Sequence, residues 1–156
     1  HLHDLMRDFD DVTLITRREP ELLHGRPMRI VRREDDGSLW FLTHRETGKV
    51  DEIRRDGRSA VVMQSKSKFV FLAGTLTVDE TKDTVEALWN PAFREWLPSD
   101  TTSRDVVALS FQPHHGEYWD PQGSPTVLEW MARGARALAD SSSEGTKTKQ
   151  HGKASL

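Results

Sequence analysis

RPMRIVRREDDGSLWFLTHRETGKVDEIRR, residues Arg26–Arg55, reads as strand, turn, strand, polar loop and helix. Met28 and Ile30 alternate with Arg29, which gives the first strand an apolar face and a charged one. Glu34-Asp35-Asp36-Gly37 comes next, and an Asp-Gly pair between apolar runs is a strong hairpin signal. The second strand is Leu39–Thr43. Gly48-Lys49 then opens a helix in which Val50, Ile53 and the stem of Arg54 share a face. On this reading the two strands pair with each other, and Lys49 lies with free backbone N–H groups at the mouth of a sheet. A phosphate suits such a place, because a helix start offers unsatisfied donors and the positive end of a dipole. Arginine adds a bidentate fork and lysine a point charge. From the residues alone Arg26, Thr43 and Lys49 form a candidate anion site, and both cations read equally well as solvated surface side chains.

Outward from this segment, Leu2, Leu5, Met6 and Phe9 have the spacing of a packed helix, and Val12–Thr16 is a β-branched strand. The polar residues Arg17–Gly25 read as a turn or loop. On the other side Ala60–Met63 is a short buried strand, Gln64–Lys68 a polar turn and Phe69–Val78 the longest strand, with Gly74 marking a bulge or bend. Glu80–Trp89 is helical. Asn90-Pro91 begins a second helix with a favoured cap and a proline at its first position, placing Phe93, Trp96 and Leu97 on one packing face. Val106–Phe111 is a strand running on to Asp120, and Ser124-Pro125 starts a last helix. The tally is about six strands and four or five helices. A mainly β protein with peripheral helices, a closed or partly open antiparallel barrel, is the expected fold. One domain over 1–139 is succeeded by a polar, mobile tail over 140–156.

Composition removes several function classes. A net charge of −3 leaves no basic footprint for nucleic acid. The absence of cysteine excludes a disulfide framework, a thiolate metal site and a thiol nucleophile. No apolar run approaches a membrane span and no signal peptide is visible, so the expected setting is cytoplasmic. The histidines show neither HxxxH nor HExxH spacing, and no metal is expected; His114 or His115 with Glu117 is the one arrangement left open. GxSxG, GxGxxG and GxxxxGK[ST] are all missing. No protein acid or base is positioned by the sequence.

RPM at 26–28, WFLT at 40–43, GKVDEIRRD at 48–56, AVVMQ at 60–64, FVFLAGTLTV at 69–78, LWNPAFREWLP at 88–98 and HGEYWD at 115–120 occur in an order that is itself informative. Together they resemble the general stress protein branch of the pyridoxamine 5′-phosphate oxidase-like, flavin-binding split-barrel family. The resemblance implies an antiparallel split β-barrel that forms a homodimer and binds FMN at the subunit interface, with FAD as an alternative. It further implies that Arg26 and Lys49 hold the phosphate and that Pro27 and Met28 lie in the strand along the isoalloxazine. Leu42 and Thr43 would contact the ring and ribityl region, with Gln64 and Ser65 at a strand end near the flavin. Trp119 would reach the flavin from the partner subunit. The chain departs from the true oxidases at Val31, where they carry lysine, at Gly48, where they carry arginine, and in lacking an Arg-x-His segment near its C-terminus. The cofactor half of the site is better kept than the substrate half. The resemblance thus implies an FMN-dependent oxidoreductase of unknown substrate rather than a vitamin B6 oxidase; the rivals are a flavin sensor or storage protein without turnover, and a relative that uses FAD, deazaflavin or haem.

Overall fold

The computed structural model describes residues 2–97, 105–120 and 151–155. Helix α1 (Leu2–Met6) precedes β1 (Asp11–Arg18), in which buried and more exposed residues alternate from Asp11 to Thr16 as they do on a strand with one face on a core. After a turn at residues 19–21 the chain returns as β2 (Leu22–Arg29), with Met28 opposite Val12 and Arg26 opposite Leu14. Two expectations are corrected here. Most of the Arg17–Gly25 loop is strand, and the RPM strand pairs with β1 rather than with the Leu39–Thr43 strand.

The Asp-Gly turn does make a hairpin, but a very short one. β3 (Arg32–Arg33) meets β4 (Leu39–His44) through two residue pairs, Arg32 with Trp40 and Arg33 with Leu39. Gly37 takes φ 88°, the left-handed conformation such a turn requires. Between β2 and β3 the chain changes partner within one step: Ile30 N–H donates to Asp10 O and Val31 N–H to Trp40 O. A strand that hands its hydrogen bonds from one neighbour to another in consecutive residues bends the sheet toward closure, so this segment joins two edges of the barrel.

Helix α2 (Gly48–Arg55) leads to β5 (Arg58–Gln64) and β6 (Phe69–Asp79); α3 (Lys82–Leu88) and a 3₁₀ turn (Pro91–Glu95) come before β7 (Val106–Trp119). Asn90 caps the 3₁₀ turn, its side chain accepting from Ala92 N–H at 2.9 Å. The strand order is β2-β1-β5-β6-β7-β4-β3, antiparallel throughout. The register between β6 and β7 slips at Ala73/Gly74, where the sequence predicts a bend; a Cβ on Gly74 would lie 2.2 Å from Gln112 O, so only glycine fits. The whole is a split β-barrel with helices at its periphery.

The described residues hold eight strands rather than six. The two additional strands are β3, too short to show a periodicity, and β8 (His151–Ser155), a polar segment of the expected tail that pairs with the last five residues of β7; β2 also extends the expected RPM strand back to Leu22. The loop 99–103 and the helix expected from Ser124 lie outside the described residues, as do residues 140–150 of the tail.

Two cores result. The barrel interior is filled by Leu14, Leu39, Phe41, Val61, Met63, Val70, Leu72, Leu109 and Phe111. A smaller one under α3 and the 3₁₀ turn holds Leu42, Val85, Leu88, Leu97, Val106 and Ala108, with Trp89 and Phe93 packed on it. Trp96 departs from the packing face expected for it: it touches Phe93 but is 37% exposed.

Candidate anion-binding site

Helix α2 packs against β1 and β6, and its buried residues are Val50, Ile53 and, between them, Glu52. Arg54, read as part of the apolar face, instead points outward to Glu80 and Asp51. Thr16 and His24 stand opposite each other on β1 and β2, two residues beyond the Leu14–Arg26 pair, so Thr16, His24 and Arg26 project from one face of the sheet. All three converge on the Glu52 carboxylate. Thr16 Oγ1 donates to Oε2 at 2.5 Å, Arg26 Nη2 donates to the same oxygen at 2.6 Å, and His24 Nδ1 lies 3.2 Å from Oε1. Burial pushes this carboxyl up, but its three hydrogen-bond partners and the charge of Arg26 outweigh burial and hold it down at about 2. Glu52 is therefore a buried anion at neutral pH.

Lys49 lies one turn earlier on the same helix. Its Nζ donates to Thr43 Oγ1 at 2.9 Å, joining the end of β4 to the start of α2. Burial lowers the Lys49 ammonium, the adjacent Arg26 charge lowers it further, and Glu52 opposes both. Two cations thus share one carboxylate. Arg26 also has Nη1 buried with no partner. A buried donor left unmet costs roughly 1–3 kcal/mol, so this nitrogen is set for an acceptor. Thr47, the residue before α2, donates its hydroxyl to His44 O at 3.1 Å and makes no cap to the helix. The first-turn N–H groups of α2 accordingly have no side-chain acceptor from their cap. A surplus cation with a lowered ammonium, an unmet guanidinium nitrogen and an uncapped helix start fit a small anion such as a phosphate monoester.

The expected site residues divide into groups. Arg26, Thr43 and Lys49 come together around the carboxylate and the helix start. Leu42 faces away from Thr43 into the smaller core and is 2% exposed, as alternation along β4 dictates. Pro27 and Met28 line an open groove of about 530 Å³ with Asp11, Arg29, Glu95 and Trp96. Gln64 and Ser65 stand at the turn closing β5 and β6, where Ser65 Oγ accepts the N–H groups of Ser67 and Lys68. Trp119 is opposite Phe69, and their rings meet edge to face at 5.0 Å. Along β7 it lies twelve residues beyond Val107, the partner of Thr43, which is about 40 Å of strand. Of the histidines left open as ligands, His115 pairs with Glu117 at 3.3 Å and His114 with Thr75 at 2.9 Å.

Sequence reasoning missed Glu52, Thr16 and His24. Glu52 carries a readable signal, since it sits three residues after Lys49 and between two apolar positions of the same short helix. Thr16 and His24 carry none, because only the β1–β2 register brings them to the carboxylate.

A family model of pyridoxamine 5′-phosphate oxidase-like proteins matches residues 1–141. The chain belongs to the pyridoxamine 5′-phosphate oxidase-like family. Solved structures share the fold of this oxidase-like chain. A Clostridium acetobutylicum protein related to general stress protein 26 superposes with a TM-score of 0.69 at 19% identity, covering 81% of this chain and 92% of that one. A general stress protein 26 from a Jannaschia species gives 0.68 at 18%, with 98% and 94% covered. A pyridoxamine 5′-phosphate oxidase-related, FMN-binding protein from Nostoc punctiforme gives 0.60 at 16%, with 80% and 81% covered. No curated protein matches the sequence. In this oxidase-like chain Val31 packs on the smaller core, an apolar contact where the resemblance marks a lysine in the true oxidases. No described helix is long and apolar enough to cross a membrane.

Proposed function

We propose that this chain is a cytoplasmic FMN-binding protein of general stress type, acting as a homodimer and as an oxidoreductase on a substrate other than a vitamin B6 phosphate. The observation that carries the reading is the paired cation site, Lys49 held by Thr43 beside Arg26 with its buried, unmet Nη1. FMN, when bound, supplies hydride and single-electron transfer. The protein's own part is to hold the phosphate with Arg26 and Lys49, to fix Lys49 through Thr43, and to keep Arg26 from swinging away through Glu52. Flavin-ring contacts from Pro27 and Met28, and from Gln64, Ser65 and the partner's Trp119, belong to the same proposal. Val31, packed on the smaller core where the resemblance marks a lysine in the true oxidases, supports a substrate other than a vitamin B6 phosphate.

The homodimer draws support from the outer face of the sheet. Ile15, Ala60 and Ala73 are in register across β1, β5 and β6, as are Val62 and Phe71, and all are half-buried rather than covered. The test is a visible absorption spectrum of the purified protein before and after adding FMN, with any bound small molecule released by denaturation and weighed by mass spectrometry. A flavin spectrum with an FMN mass is the expected result. A colourless protein that neither perturbs nor quenches added FMN overturns the reading.

A further inference from the structure

The turn joining β1 to β2 and the C-terminal end of α2 border a second polar space. Residues 17–21 on one side and the last turn of α2 on the other line a cavity of about 190 Å³. That is room for roughly six waters at ~30 Å³ each. The cavity is separate from the anion site, because Lys49 and Arg55 are six residues apart on α2, about 9 Å of helix rise. Glu52, midway between them, borders both. Arg18 lies two residues beyond Thr16 on β1 and so on the same face of the sheet, the one that α2 covers. Two of the carboxylates on the wall are already taken. Glu52 is held by Thr16, Arg26 and His24, and Asp56 by Arg58 at 2.7 Å and Arg17 at 3.2 Å. What remains is Arg18 and Arg55 against Glu19 and Glu21, and none of these side chains has a hydrogen-bond or ion-pair partner among the described residues. The cavity thus offers both signs of charge in equal number and pairs neither.

We propose that this cavity binds a free α-amino acid, its carboxylate between the guanidinium groups of Arg18 and Arg55 and its ammonium against Glu19 and Glu21. Arginine grips a carboxylate through a planar fork, and an ammonium spreads its three donors over the two acids. A simple anion placed here meets the two unpaired carboxylates, and a simple amine meets the two unpaired guanidinium groups; a ligand with both ends turns each repulsion into an attraction. Pro20 is the one apolar residue on the described wall, which suits a ligand whose own side chain is short or polar. The site stands apart from the flavin reading and does not need it.

The test uses three probes of one short chain: L-alanine with both charges, propionate with the carboxylate alone and ethylamine with the ammonium alone. Each is titrated at millimolar concentration into the full chain, followed by amide nitrogen–proton chemical shifts. L-alanine is expected to move the amides of residues 17–21 and 52–56 and to bind about tenfold or more tighter than either single-ended probe, the least that one further charged contact is worth. Arg18→Gln combined with Arg55→Gln should bring L-alanine down to the affinity of ethylamine, and Glu19→Gln combined with Glu21→Gln down to that of propionate. Melting temperatures confirm that both variants fold, and FMN titrated alongside should bind them as it binds the parent chain. If none of the probes binds, if propionate binds as tightly as L-alanine, or if the arginine variant keeps its affinity for L-alanine, the site is overturned.

Discussion

Lys49 Nζ donates to Thr43 Oγ1 at 2.9 Å, tying the end of a core strand to the first turn of a helix. The bond fixes a cation whose charged form is disfavoured by its surroundings, since burial and the Arg26 charge both lower the ammonium. An anion bound there restores what burial removes. Lys49→Ala is expected to weaken FMN binding by about 1.5–3 kcal/mol, the range for a charged hydrogen bond, or roughly ten- to 150-fold in Kd. Isothermal titration checks this, and an unchanged Kd would remove Lys49 from the site.

Glu52 is tied to the fold as closely as to the anion site. Replacing it with alanine leaves the Arg26 guanidinium buried without a counter-charge and strips Thr16 of its acceptor. Loss of one partner from a buried pair costs about 3 kcal/mol or more. Urea unfolding of Glu52→Ala should show a fall of that order, and a shift of under ~1 kcal/mol would mean that water replaces the carboxylate.

The same carboxylate makes stability depend on acid. Its folded value is lowered from 4.5 to about 2, so the unfolded chain takes up the proton first as pH falls. The stabilisation is complete above 4.5 and is lost between there and about 2, amounting to on the order of 2–3 kcal/mol for one such group. Asp56, held at about 2 by Arg58 and Arg17, titrates with the same sign. Melting temperatures of the parent chain should drop steeply over this interval and those of Glu52→Gln less so. Parallel curves for the two proteins would contradict the assignment.

A shared site predicts complementation. Lys49→Ala and Trp119→Ala, each weak in FMN binding as pure proteins, should regain about one site in four when unfolded together in equal amounts and refolded, because half of the dimers are then mixed and one of the two sites in each mixed dimer carries both intact residues. Flavin bound per chain, measured after gel filtration, reads this out. No recovery in a mixture shown to contain mixed dimers would place Trp119 outside the site.

Gly74 is a point where the barrel admits no side chain. With a Cβ placed 2.2 Å from Gln112 O and 2.8 Å from the Phe111 ring, Gly74→Ala forces the β6–β7 ladder apart at its bulge. A loss of about 1–3 kcal/mol in unfolding free energy is expected from such overpacking. Retention of full stability would show that the bulge relaxes at no cost.

The local chemistry of this chain was legible in its sequence. The Asp-Gly turn, the helix start at Gly48, the Asn90-Pro91 cap and the bend at Gly74 each depend on residues within a few positions of one another, and each occurs where the pattern places it. The order of motifs was enough to identify the family and its split barrel. Which strands touch was a different matter. The RPM strand alternates equally well against β1 or β4, and the choice of β1 depends on closing a barrel whose edges meet at Ile30 and Val31. That choice sets Arg26 level with Leu14, and so brings Thr16 and His24 to Glu52. Charge and helix start could be read from the chain alone; the pairing of Arg26 with a buried carboxylate, and the unmet nitrogen it leaves, arise from contacts 26 residues apart that only the tertiary fold creates.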